Sequence, residues 1–256
     1  MTGTPSMQRT GYRPIGQPTY YFPPAVKWLL IVNVGVYVAD FVLRVWFGLG
    51  WFSYGWLVPA LVLRGWIWQL VTYMFLHSVG NVWHIVFNML CLWMFGMDLE
   101  RDWGTARFLR YYFLCGVAAG VCVVLVALLR RPDLDIPTLG ASGAVLAVLL
   151  AYAVMYPDRI MLFMLIFPMK AKYVAMICGA IAFIGSWQGG SGVSHVAHLG
   201  GMVVGYIYLK ARFKVSLLSP FTVLRGGYRN WRMERARRRF QVYLRKRGPG
   251  GGPWVN

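Results

Sequence analysis

The stretch GASGAVLAVLLAYAVMY, residues 140–156, has no charged side chain and is built almost entirely from small and apolar residues. A helix needs about 20 mostly apolar residues to cross a bilayer, so this segment predicts a short membrane span. Small residues recur every four positions at Gly143, Ala147 and Ala151, the spacing that lets two membrane helices approach closely. The segment therefore predicts a tightly packed membrane helix with a single polar group, Ser142, near its start.

The composition of the whole chain agrees with lipid as the solvent. The 256 residues are 58% hydrophobic and 13% charged, whereas a soluble domain is about half apolar and a quarter charged. Together with residues 140–156, five further apolar runs predict an all-α membrane protein, a bundle of six transmembrane helices. The five runs are residues 28–47, 82–99, 111–129, 173–187 and 193–209.

Three connecting segments have compositions that predict different surroundings. Residues 48–79 are dense in Trp and Gly, and tryptophan favours the headgroup level, so we expect a membrane-associated first loop. Residues 98–110 predict a charged turn. Residues 160–172 are apolar but carry Pro168 and two lysines, which predicts a loop dipping into the membrane.

The net charge of +18 is concentrated in the C-terminal part. From residue 210 onward there are thirteen Lys and Arg against the single acid Glu234, a local charge of +12. Beside a membrane bundle this favours anionic lipid as the partner rather than nucleic acid. Residues 228–247 fit either an amphipathic helix on the membrane surface or a solvated basic tail.

The charge distribution also predicts domains and topology. We divide the chain into a polar N-terminal tail (residues 1–25), a six-helix membrane domain (26–210) and a basic C-terminal tail (211–256). Basic residues are biased towards the cytoplasm, and six spans put both tails on one side, so we expect both termini to be cytoplasmic. The expected location is a bacterial inner or plasma membrane.

Polar residues inside the predicted spans form two sets. His84 and Asn88 are four positions apart and therefore share one helical face, which must point into the bundle. This pair predicts either a helix–helix hydrogen bond or a functional site. In the other set, Ser142 lies beside Gly143 and His198 lies shortly before a Gly-x-x-x-Gly pair.

Each glycine motif alone is explained by helix packing, but together they place Ser142 near His198. Small residues on both spans bring the backbones together, the fourth span through Gly140 and Gly143 and the sixth through Gly201 and Gly205. A serine activated by an imidazole needs a separation of about 2.6–3.2 Å. The pair therefore fits nucleophilic catalysis. We see no metal-ligand motif and predict no cofactor.

The ordered motifs resemble those of the rhomboid intramembrane serine proteases. They are His84-Ile85-Val86-Phe87-Asn88, Gly140-Ala141-Ser142-Gly143 and Ala197-His198-Leu199-Gly200-Gly201, with Trp68-Gln69, Phe75-Leu76-His77, Gly96, Glu100-Arg101 and Gly104 as further points of similarity. The resemblance implies a six-helix rhomboid-like bundle with Ser142 as nucleophile, His198 as general base, and His84 and Asn88 on the oxyanion. It also implies cleavage of transmembrane segments of other proteins.

This sequence departs from the resemblance at two positions. Leu146 stands where the family often has an aromatic residue packed on the histidine. Gln69 stands where the family commonly has the arginine of a Trp-Arg pair. Neither position is one of the reacting groups that the resemblance implies.

Two other functions remain open from sequence. One is an inactive rhomboid-like protein that binds membrane proteins without cutting them, although such relatives usually lack the serine or the histidine. The other is a metal site or metal transporter using the four histidines, His77, His84, His195 and His198, although no acid accompanies them.

Overall fold

The computed structural model of the chain describes residues 22–163, 166–187 and 192–213, together with Arg235. The helices are α1 (Pro24–Phe47), α2 (Pro59–Leu63), α3 (Gln69–Thr72), α4 (Val82–Trp103), α5 (Thr105–Leu129), α6 (Ser142–Met155), α7 (Ala171–Gly185) and α8 (Gly192–Phe213). Strands β1 (Ile160–Phe163) and β2 (Phe167–Lys170) form an antiparallel pair. Short 3-10 turns occupy Trp51–Gly55, Tyr73–Phe75 and Arg131–Asp135.

The prediction of an all-α membrane protein is confirmed. Six of the described helices have 14 residues or more: α1, α4, α5, α6, α7 and α8. By length and composition, α1, α4 and α5 are apolar enough to cross a membrane, and α6 and α7 are shorter apolar helices. Large apolar side chains along α1 are exposed, Trp46 by 76% and Val45 by 58%, because this surface faces lipid rather than water.

Helix α6 forms the centre of the bundle. It packs against α4, α5 and α7, and nine of its 14 residues are buried. At about 1.5 Å per residue it is roughly 21 Å long, shorter than a hydrocarbon core of about 30 Å. One or both of its ends must therefore lie inside the thickness of the membrane.

The first loop contains only short helical turns, as its composition predicts for a segment that does not span the membrane. Gln69 is fully buried and holds this loop together: its Nε2 donates to the Tyr54 carbonyl at 3.1 Å, and its Oε1 accepts from the Val58 N–H at 3.1 Å. Leu57 and Thr138 exchange two backbone hydrogen bonds of 3.0 and 2.8 Å. The first loop is thereby tied to the segment that leads into α6.

The predicted charged turn over residues 98–110 is wrong. Helix α4 continues to Trp103 and α5 begins at Thr105, so a single residue, Gly104, connects them. Gly104 has φ 78°, a conformation that glycine adopts without strain. The charges do not end the helix because they have partners; Asp98, for example, pairs with Arg159 at 2.7 Å.

One carboxylate in this region, that of Glu100, reaches the beginning of α1. It is buried and accepts the backbone N–H of Ala25 and of Val26, both at 2.8 Å. Thr105 donates its hydroxyl to the same carboxylate at 2.7 Å. The first N–H groups of a helix have no acceptor within the helix, so Glu100 supplies it from another helix.

The predicted membrane-dipping loop at residues 160–172 is a β-hairpin followed directly by α7. Met161 pairs with Met169 and Leu162 with Pro168 in the antiparallel register. Alternation along β1 buries Met161 while leaving Leu162 exposed, the two-residue period of a strand. The apolar residues here therefore reflect strand formation. The predicted amphipathic segment at residues 228–247 lies, apart from Arg235, outside the described residues.

Candidate functional site

Ser142 is the first residue of α6, and its position follows from the glycine before it. Gly140 has φ 120°, which a residue with a β-carbon rarely adopts, and its N–H donates to the Tyr73 carbonyl at 2.9 Å. This turn starts α6 abruptly at Ser142. The first N–H groups of the helix, that of Ser142 included, consequently have no acceptor within α6 and carry the positive end of the helix dipole.

His198 reaches Ser142 because α6 and α8 approach with almost no side chain between them. A β-carbon placed on Gly201 would lie 2.2 Å from the backbone oxygen of Gly143, and one on Gly143 would lie 3.2 Å from the Ala197 oxygen. One on Gly205 would lie 2.5 Å from the Tyr111 hydroxyl oxygen. The glycines that the sequence assigns to packing therefore lie at close helix contacts.

The two polar side chains meet at this contact. His198 Nε2 and Ser142 Oγ are 2.6 Å apart, within hydrogen-bonding range. This separation allows the hydroxyl to donate to the neutral imidazole, which is the arrangement that activates a serine as a nucleophile. The structure thus brings together Ser142 and His198, the pair that the sequence predicts to fit nucleophilic catalysis.

His84 approaches the same place from the start of α4. A β-carbon on Gly140 would lie 2.6 Å from His84 Nε2, so the ring occupies the space that Gly140 leaves. The Ser78 N–H donates to His84 Nδ1 at 3.4 Å. In a neutral ring this puts the proton on Nε2, which makes that atom a hydrogen-bond donor beside Gly140.

His77, in the loop before α4, lies behind His84. The two ring centroids are 5.1 Å apart with an interplanar angle of 64°. His77 is buried, and neither ring nitrogen has a hydrogen-bond partner. Burial, assisted by His84, lowers the pKa of His77 to about 4, so the ring is neutral at physiological pH. His77 therefore packs against the His84 ring without adding a charge.

Asn88 is buried one turn further along α4. Its Nδ2 donates to the His84 carbonyl at 2.7 Å, within its own helix. This bond uses one of the two amide hydrogens and leaves the other available. Asn88 is therefore on the same helix face as His84, as predicted, but deeper.

A cavity of about 140 Å³ opens beside the Ser142–His198 contact. Its lining contains no carboxylate among the described residues. The lining residues are Tyr73, His84, Thr138, Leu139, Gly140, Ser142, Ser194, Ala197 and His198. Three of the four predicted site residues thus line one cavity, and Asn88 is not among the lining residues.

Sequence reasoning missed several residues that shape this cavity. Tyr73 donates its hydroxyl to the Gly116 carbonyl at 2.6 Å and accepts from Gly140 through its own backbone. Thr138 is buried with its hydroxyl oxygen unpaired. Neither belongs to an apolar span, so neither stood out as a polar residue in lipid. Among the described residues there is no group of three His, Cys, Asp or Glu side chains placed to hold a metal ion.

Fold and site together define a helical membrane protein whose polar centre joins a serine and a histidine from two closely packed helices. The Rhomboid domain family matches residues 64–215, from the first loop to the end of α8. The chain belongs to the rhomboid family.

Relatives come from bacteria and from mitochondria. The chain is 32% identical over 134 residues to Rhomboid protein 1, mitochondrial, of Saccharomyces cerevisiae, an alignment covering 51% of this chain and 38% of that protein. It is 28% identical over 185 residues to the rhomboid protease AarA of Providencia stuartii, covering 63% of each. It is 29% identical over 149 residues to the rhomboid protease GluP of Bacillus subtilis, covering 57% of this chain and 26% of GluP. The chain therefore spans less than two thirds of each of these relatives.

Proposed function

We propose that this protein is an intramembrane serine endopeptidase that cleaves transmembrane segments of other membrane proteins. The observation that carries the proposal is the 2.6 Å separation of Ser142 Oγ and His198 Nε2 across the α6–α8 contact. Two relatives that carry the word protease in their names, AarA and GluP, support the same reaction class.

In the proposed reaction, Ser142 Oγ attacks the scissile carbonyl carbon while His198 Nε2 takes the hydroxyl proton. The resulting tetrahedral oxyanion collapses, the C–N bond breaks, and His198 returns the proton to the leaving amine. Water then attacks the acyl-serine with His198 again as base, which releases the second product and restores Ser142. No carboxylate takes part, because none lines the cavity in the described part of the chain.

The oxyanion would be held by two donors at the cavity and by a third, from Asn88, that must turn to reach it. These are the Ser142 N–H at the start of α6 and the Nε2–H of His84, with the free amide hydrogen of Asn88 completing the set if it turns toward the cavity. A preorganised donor of this kind is worth about 2.7–4 kcal/mol in the transition state. The dipole of α6 adds to the same stabilisation.

We further propose the topology in which both tails are cytoplasmic, and we keep the domain limits at residues 25/26 and 210/211. The charge bias supports the orientation: three basic residues and no acid precede Trp28, and thirteen basic residues follow Tyr208. Reporter fusions at Pro253 and at Gly190 should then give opposite readings. Since the relatives are both bacterial and mitochondrial, the bacterial membrane stays a prediction, as does binding of anionic lipid by the basic tail.

The proposed activity is tested with purified protein, a serine-directed fluorophosphonate probe and a model transmembrane substrate in liposomes. Wild type should be labelled and should cleave, whereas Ser142→Ala should do neither. Ser194→Ala is the matched control, because Ser194 lines the same cavity but is not bonded to His198. Equal cleavage by Ser142→Ala and wild type would contradict the proposal.

The same assay separates the alternatives. A protein that only binds membrane clients would capture the substrate without cleaving it and without labelling. A metal-dependent site would lose activity in EDTA and regain it with zinc, whereas the proposed chemistry is insensitive to EDTA.

A further inference from the structure

We infer that His195 is a positioning residue that holds the His198 ring in the orientation needed to accept the proton of Ser142. The inference rests on the proposed function, because it assigns to His195 a role in the same reaction. The sequence predicts that His195, three positions before His198, is a polar residue at the membrane surface. In the structure, it is half-buried and contacts His198 directly.

The two imidazole rings are packed against each other. Their centroids are 5.7 Å apart and their planes are perpendicular, at 87°. Perpendicular packing at this distance is the favoured geometry for aromatic pairs. Because the contact comes from one turn earlier on the same helix, it restrains the rotation of the His198 ring.

The other side of the His195 ring rests on α7. A β-carbon placed on Gly185 would lie 2.5 Å from both Cγ and Cδ2 of His195 and 2.7 Å from its Nδ1. The ring therefore fills space that exists only because residue 185 is glycine. His195 Nδ1 is buried without a hydrogen-bond partner, so no hydrogen bond at that nitrogen accounts for the ring's placement.

The packing of His195 can orient the imidazole of a Ser–His pair that has no carboxylate to do so. In a catalytic triad the third group fixes the orientation of the imidazole. Within the described residues no carboxylate lines the cavity, and the side chains beside His198 include Ser142, His84 and His195. His195, wedged between Gly185 and His198, restrains the ring by packing instead.

The test compares variants by kcat and KM for a transmembrane substrate in liposomes and by the rate at which the fluorophosphonate probe labels Ser142. His195→Ala should lower kcat and the labelling rate by about 2- to 10-fold, the factor that a perpendicular aromatic pair is worth, with KM unchanged. His195→Phe keeps a flat ring and should stay within about twofold of wild type by the same argument.

A second substitution reaches His195 from the opposite side. Gly185→Ala should displace the ring and lower kcat as His195→Ala does, and adding it to His195→Ala should cause no further loss. Gly179→Ala is the matched control on the same helix, since its β-carbon would meet only the end of Met202 at 3.4 Å.

The inference is overturned if His195→Ala matches wild type, if His195→Phe loses as much as His195→Ala, or if the effects of Gly185→Ala and His195→Ala simply add. Should His195→Ala fail to fold, His195→Phe and Gly185→Ala still decide the question. A Ser142→Ala variant that still cleaves the substrate would contradict the proposed function itself. No result of the His195 series would do so, and the two failures are therefore distinguishable.

Discussion

The two ends of α6 differ in whether their polar groups face a cavity or pair with one another. At the Ser142 end a hydroxyl and imidazoles face a cavity of about 140 Å³, and no carboxylate lines it within the described residues. At the other end, Arg159 pairs with Asp98 at 2.7 Å and lies 5.5 Å from the centre of the Tyr156 ring. The Tyr156 hydroxyl in turn donates to Asp102.

Under the proposed function, the Ser142 end holds polar groups that react and the Tyr156 end holds polar groups that join helices. Charges at the Tyr156 end have their partners: exposed Arg159 pairs with half-buried Asp98 and joins α4 to the turn that follows α6. Groups at the Ser142 end direct donor capacity at the cavity rather than at protein partners, so a substrate can accept those hydrogen bonds. We therefore expect substitutions at the Ser142 end to remove activity, and those at the Tyr156 end to change stability slightly.

The largest effect is expected for His198→Ala, which removes the proton acceptor of Ser142. Activity should fall at least about 10³-fold, because losing one member of a catalytic unit costs almost as much as losing all. Cleavage of a transmembrane substrate and probe labelling measure this loss. Tyr156→Phe at the opposite end is the control and should retain activity; comparable losses in both variants would abolish the distinction between the two ends.

His84→Ala should have the next largest effect, lowering kcat by about 10²–10³-fold, the loss typical of one oxyanion donor. Asn88→Ala should lower kcat less, because one of its amide hydrogens already bonds to the His84 carbonyl. In both variants kcat should change more than KM, since these bonds strengthen as negative charge develops. A change confined to KM would make the pair a substrate-binding or packing feature.

Gly201→Ala tests the helix contact on which the Ser142 end depends. Its β-carbon would lie 2.2 Å from the Gly143 oxygen, and overpacking of this kind costs about 1–3 kcal/mol. The melting temperature in detergent should therefore fall, and activity should fall with it as Ser142 and His198 separate. Gly35→Ala, in α1, meets no atom within 4 Å and should melt like wild type. Equal melting of Gly201→Ala and wild type would mean that α6 and α8 are further apart.

The smallest effect is expected for Asp158, in the turn before β1. Lys172, and then Lys170, lower its pKa below the ordinary value of 3.8. A carboxylate with a lowered pKa contributes stability above its unfolded pKa and loses that contribution as the pH falls through the folded value. Between pH 5 and 8 Asp158 therefore stays ionised, and melting curves over this range should not reveal it. Because Asp158 is exposed, water screens its ion pairs and the contribution that they make at pH 7 is small. Asp158→Asn should therefore melt almost like wild type at pH 7; a large shift would show that this turn is structurally essential.

The sequence predicted the residues of the Ser142 end better than their surroundings. Ser142, His84 and His198 stood out because polar groups are rare in apolar spans, and the glycines because small residues permit close packing. Thr138 and Tyr73 lie outside the spans, where polar residues are common, so only the folded chain could place them at the cavity. The sequence predicts His195 at the membrane surface because it lies almost a turn nearer the end of its span than His198. Its packing on Gly185 could not be predicted, because Gly185 lies on a different helix.

At the opposite end the sequence was misleading for a related reason. A cluster of charges over residues 98–110 indicates a turn when it is considered alone. The turn is only Gly104, because Asp98 and Glu100 find partners far along the chain, in Arg159 and at the start of α1. Charge density in the sequence cannot reveal such distant partners. Strand β1 was missed because an apolar run of four residues carries too little periodicity to be distinguished from a loop.

Glu100 also has a consequence for the order in which the molecule is completed. Its carboxylate accepts from the N–H groups of Ala25 and Val26, which precede it by 75 and 74 residues. During synthesis α1 is made and reaches the membrane long before Glu100 exists. Until then, water at the membrane surface must accept the hydrogen bonds of those two N–H groups. The start of α1 is therefore finished only when the end of α4 has been made, and a chain interrupted before residue 100 leaves those two N–H groups exposed to water.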